Sequence, residues 1–132
     1  MNVIDIPTVN ALPADLLGNI PASLAFLLAR LLAHEEGLLH ADYRHGADQN
    51  VTWYVRQRTG GKDQDDVPVA VLPAGIFGSL VARIALAARI DHQRSGAAPL
   101  TPAQNGRRFD CQVFLSKCRE SGYWIRLYAR AV

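Results

Sequence analysis

Val51-Thr52-Trp53-Tyr54-Val55-Arg56-Gln57-Arg58-Thr59-Gly60-Gly61 is the stretch on which the fold turns. Val51, Trp53 and Val55 alternate with Thr52, Tyr54 and Arg56, the period of two that marks a strand with one buried face. Thr59-Gly60-Gly61 ends the strand. Before it, Leu38 to Arg44 is a second extended run, and His45-Gly46-Ala47-Asp48-Gln49-Asn50 joins the two with turn-forming residues. Residues 38–58 therefore read as a β-hairpin.

On the N-terminal side of the hairpin, Leu24, Leu27, Leu28, Leu31 and Leu32 recur at helical spacing, which predicts a helix over 21–36. Pro21 suits its first turn, Asn19 its N-cap and Gly37 a left-handed end. Residues 1–20 show no sustained period and read as an N-terminal arm. On the C-terminal side, the polar loop Lys62 to Asp66 leads to a short strand, Val67 to Leu72. Pro73 then opens a second helix over 74–90, buried through Ile76, Leu80, Ile84 and Ala87 or Ala88. Asp91 to Gln104, with Ser95-Gly96, Pro99 and Pro102, reads as a long loop. Phe109, Cys111, Val113 and Leu115 alternate, Glu120-Ser121-Gly122 turns the chain, and Trp124 to Arg130 returns: a second hairpin. Helix, hairpin, strand, helix and hairpin give one α+β domain over 21–132, an antiparallel sheet with helices on one face.

The 132 residues match one domain, and 49% apolar with 20% charged residues excludes wholesale disorder. The most apolar run, Ile20 to Ala33, carries Arg30 and falls short of the roughly 18 apolar residues of a membrane helix. Without a basic patch before an apolar core near the start, the expected location is the cytoplasm. Cys111 and Cys118 are expected to be reduced thiols. Net charge is +2, yet the cations are twelve Arg and two Lys. Arginine is the side chain for bidentate contact with phosphate or carboxylate.

No phosphate loop, dinucleotide-binding glycine motif or H-E-x-x-H helix is present in the sequence. His34, His40, His45 and His92 are not spaced as helical metal ligands, Asp91 and Asp110 have no partner acid at motif spacing, and no nucleophile elbow occurs. No catalysis and no cofactor are expected of the chain itself. What stands out is arginine at the ends of elements. Arg56 and Arg58, two apart on a strand, face one side of the sheet; Arg83 projects from the second helix; Arg107 follows Gln104-Asn105-Gly106. Converging guanidinium groups suit a polyphosphate, a nucleic-acid backbone or a partner's acidic side chains.

Four segments, in order, resemble the N-terminal domain that precedes the motor in type II secretion and type IV pilus assembly ATPases. Val55-Arg56-Gln57-Arg58-Thr59-Gly60-Gly61 is similar to that domain's V-R-x-R-h-D-G strand and turn, with h for an apolar residue. Leu80 to Asp91 resembles its L-V-S-R-I-K-x-M-A-x-L-D helix. Pro102-Ala103-Gln104-Asn105-Gly106-Arg107 is similar to its L-P-Q-D-G-R turn, and Gly122 to Leu127 to its closing strand. His40 sits where that family's S-D-I-H segment ends. The resemblance covers residues 37–130 and departs at Leu38-Leu39, Gly60 and Asn105, where the family carries Ser-Asp, Asp and Asp.

It implies a PAS-like domain that works beside a RecA-like motor in hexamers and makes subunit contacts. Arg83 and Arg107 match the arginines that approach a nucleotide, and ATP and Mg²⁺ would belong to the motor domain. The implied partners are that motor and its assembly proteins at the inner face of the membrane, with self-association of the chain. Two other readings follow from the residues. One is a nucleic-acid module stacking bases on Trp53, Tyr54, Tyr123 and Trp124, which the low net charge disfavours. The other is a PAS-like small-molecule sensor with a pocket between sheet and helices.

Overall fold

The computed structural model describes residues 3–7, 11–15, 17–43, 50–90, 96–118 and 122–132. In chain order the elements are β1 (Val3–Asp5), α1 (Ile20–Leu31), β2 (Glu36–Tyr43), β3 (Asn50–Thr59), β4 (Lys62–Pro73), α2 (Ala74–Ala88), β5 (Gly96–Gln104), β6 (Arg107–Cys118) and β7 (Gly122–Ala131). The strands form a seven-stranded sheet in the order β1-β5-β6-β7-β2-β3-β4, antiparallel except where β1 runs parallel to β5. The turn residues 45–49 and 120–121, His92, Asp91 and the Cys118 thiol lie outside the described residues.

Alternation builds the core. Leu39 and Ala41 of β2, Val51, Trp53 and Val55 of β3, Phe109, Cys111, Val113 and Leu115 of β6, and Ile125, Leu127 and Ala129 of β7 share one side of the pleat. They pack in one cluster with Phe26, Leu27, Leu28 and Leu31 of α1 and Ile76, Phe77, Leu80 and Ile84 of α2. Trp53, Leu27, Leu39, Leu72, Leu80 and Leu127 are fully buried. Both helices thus cover the same face of the sheet.

The boundaries differ from the sequence-based expectations in four places, each for a physical reason. The expected helix over 21–36 stops at Leu31: Asn19 Oδ1 accepts from the Ala22 N–H at its start, but from Glu36 onward the backbone joins the ladder with β7. Gly37 is accordingly a strand residue and not a left-handed cap. The arm contributes a strand of its own, as Ile6 N–H donates to the Ala103 carbonyl at 2.7 Å and Ile6 is buried.

The polar loop 62–66 is the first half of β4. Gly60 and Gly61, with φ of +60° and +78°, form a two-residue turn that pairs Thr59 with Lys62 and lets the strand start at once. Its side chains are exposed, so no apolar pattern announces it. The long loop 91–104 contains β5. Pro99 is tolerated because only the three-residue β1 flanks β5, at Thr101–Ala103, and the ladder to β6 lapses at Thr101 and Pro102. Asn105 and Gly106, at φ of +53° and +75°, form a second such turn.

Candidate functional site: the open face of the sheet

Side chains that alternate with the core point to the opposite side of the sheet, which no described helix covers. Register places them in rows across the strands. Phe114, Arg126, His40, Tyr54 and Pro68 form one row. Gln112, Tyr128, Leu38, Arg56 and Asp66 form the next, and Asp110, Arg130 and Glu36 the one beyond.

At the β2-β3-β4 side, Asp66 gathers two partners. Arg56 Nε donates to Asp66 Oδ1 at 3.0 Å and its Nη2 donates to Oδ2 at 3.1 Å, a bidentate fork. His40 Nε2 lies 3.0 Å from Asp66 Oδ1, and the His40 ring stacks on Tyr54 at 5.5 Å. The Arg56 hydrogen bond holds the Asp66 carboxyl below the usual carboxylate range; partial burial opposes this and His40 adds to it. The same bond raises Arg56 above its ordinary value. Asp66 is thereby kept as an anion and cannot serve as a proton donor near neutral pH.

Beside this cluster lies a depression of about 370 Å³ walled by Leu38, Arg56, Arg58, Asp110, Tyr128 and Arg130. Arg56 and Arg58 do share one side of the sheet. Arg58 makes one long contact, from Nη2 to the Gly61 carbonyl at 3.4 Å. Phe114 and Tyr128 meet edge to face at 5.8 Å and remain 36% and 47% exposed. Arg126 lies over the Trp124 ring at 4.4 Å.

The structure divides the four arginines. Arg83 is exposed on α2, on the helical side. Arg107 is on that side too: its guanidinium lies 5.5 Å from the ring of core residue Phe109 and pairs with Glu35. Arg56 and Arg58 are on the opposite face. Of the proposed base-stacking residues, Trp53 is fully buried and excluded from that role, Tyr54 is already stacked on His40, and acids are interleaved with the arginines.

The space between the sheet and α2 is filled by side chains, Trp53 and Phe77 meeting at 5.7 Å, so a sensor pocket there would need those rings displaced. Cys111 lies in this layer, its thiol pushed up to about 12 by burial. Among the described residues no group of three His, Cys, Asp or Glu could hold a metal ion, and no helix is long and apolar enough to cross a membrane.

Asp66 was missed in the sequence because it sits in the polar run after Gly61. Its pairing with Arg56 depends on an irregularity in the β3-β4 register that no residue type signals. Asn105-Gly106, by contrast, is a hairpin signal that would have found β5. No protein-family model matches the sequence, and no curated protein matches it.

Proposed function

We propose that this chain is a non-catalytic contact domain of the type II secretion and type IV pilus ATPase kind. In this reading it has a PAS-like fold, its Arg83 and Arg107 approach a nucleotide held by a motor domain, and the Arg56 and Arg58 face makes subunit or partner contacts. ATP and Mg²⁺ belong to the motor. A sheet backed by helices on one side only supports the PAS-like part.

The observation that supports the arginine role is the placement of Arg83 and Arg107. Both are exposed on the helical side, and Glu35, the partner of Arg107, is 74% exposed. An exposed pair of this kind contributes little stability, so a terminal phosphate can take the place of Glu35 at small cost. An always-charged fork at that phosphate would tie domain position to nucleotide state.

The test adds the purified chain to the full-length secretion or pilus ATPase of the same cell and follows phosphate release. The chain is expected to raise the rate. Arg83→Ala and Arg107→Ala should each lose most of the increase, while Glu35→Ala, which frees Arg107, should keep it. No stimulation by the wild-type chain removes the ATPase role, and full stimulation by both arginine variants removes the arginines from it.

A further inference from the structure

We propose that the open face is the contact between two copies of this chain, packed face to face about a two-fold axis that runs along the strands between β7 and β2. This names the partner for the contact role given above to the Arg56 and Arg58 face, and it rests on that part of the reading alone.

Asp110 lies beside Arg130, and Arg130 beside Glu36. Arg58 follows Arg56, the cross-strand neighbour of Leu38, and so falls next to Glu36 in the same depression. The row Asp110, Arg130, Glu36, Arg58 therefore alternates in charge, negative to positive, across β6, β7, β2 and β3, and Asp63 of β4, the cross-strand neighbour of Arg58, stands beyond its end. Turned end for end about the middle of those four strands, the four alternating charges are their own complement, and Asp63 falls over the partner's β5, which carries no charged residue. The axis sets β6 over the partner's β3 and β7 over the partner's β2, so Asp110 meets the partner's Arg58 and Arg130 meets the partner's Glu36. Each contact occurs twice.

The neighbouring rows agree. Tyr128 falls on the partner's Leu38, and Phe114 on the partner's Tyr54. These cover the exposed rings. Gln112 reaches the partner's Arg56, already neutralised by Asp66. Arg126, lying over Trp124, meets the partner's His40, whose ring nitrogen is held by Asp66. An axis across the strands at the level of Leu39 would instead set Glu36 against the partner's Asp42, both negative.

Area and geometry suffice. Six strands about 4.8 Å apart and about 27 Å long present roughly 800 Å², near what each partner buries in a stable interface of standard size. Strands of the two copies stay aligned, as in packed sheet pairs.

The experiment measures molar mass by sedimentation equilibrium on the full chain. Wild type is expected to reach twice 14.4 kDa. Arg58→Asp alone and Asp110→Arg alone should each weaken association at least tenfold, because like charges then meet twice. Mixed in equal amounts they should pair again, since every contact becomes opposite in sign. Residues 58 and 110 are separated by two strands, so a folding defect would not be repaired by mixing, and circular dichroism checks that both variants keep the fold.

A wild-type chain that is monomeric at high concentration overturns the proposal and leaves the face to another occupant. Variants that associate like wild type, or a folded mixture that stays monomeric, also overturn it. A chain that pairs as expected but does not stimulate the ATPase supports this inference and overturns only the nucleotide role.

Discussion

The two faces of one sheet are built from alternate residues of the same strands and differ in nearly every physical respect. On the helical face of β3 and β7, Trp53 and Leu127 are fully buried; on the open face of the same strands, Tyr128 is 47% exposed and Arg56 is held by one carboxylate. Burial of large apolar side chains stores stability. Polar and aromatic groups at a surface cost little to change and remain free to meet a partner. The helical face fixes the shape, and the open face carries chemistry that the fold does not need for its own stability.

The largest test of that contrast is a pair of truncations read by urea unfolding. Trp53→Ala is expected to lose about 3–5 kcal/mol, and Tyr128→Ala less than about 1. Similar losses would break the division between faces. Among the described residues Trp53 Nε1 has no hydrogen-bond partner, so Trp53→Phe, which removes that donor, should cost clearly less than Trp53→Ala.

Next in size is the β5-β6 turn, which fixes the side on which each residue of those strands appears. Gly106→Ala, at a φ of +75°, is expected to cost about 1 kcal/mol in the same assay. A neutral change would show that the turn does not set the register.

The smallest effect sharpens the open face. Asp66 has a depressed carboxyl in the folded chain, so its contribution is present above the ordinary carboxylate value of about 3.9 and is lost as pH falls through the lower folded value. The gap in melting temperature between wild type and Asp66→Asn should therefore be steady near neutral pH and close toward pH 2. A gap that persists at acid pH would mean that Asp66 acts by packing and not by its charge.

Much of the architecture was legible because its signals are local. The alternation around Trp53 and the stripe Ile76, Leu80 and Ile84 each repeat with the period of their element. β5 and the first half of β4 were not legible, since prolines and charged residues suppress the apolar pattern on strands near the sheet edges.

For the site, the sequence placed Arg56 and Arg58 on one side of the sheet, and the structure agrees. Counting back from the Gly60-Gly61 turn, where Arg58 pairs with Asp63, would set Arg56 against Asp65. A register shift moves it to Asp66, beside His40. The side of the sheet to which Arg83 and Arg107 belong depends on where α2 and the β5-β6 turn come to rest.

The sequence by itself determined the α+β class, the apolar side of β3 and β6 and the absence of a phosphate loop, because each is written in residue type and short-range spacing. The tertiary structure alone decided that the two hairpins join through β7 and β2 and that the β3-β4 register shifts, and with these the alternating row Asp110, Arg130, Glu36 and Arg58 and the Asp66 cluster. Those four residues come from two hairpins, β2-β3 and β6-β7, that are distant in the chain. Only the hydrogen-bonded ladder, which sums small contributions over the whole sheet, brings them into line.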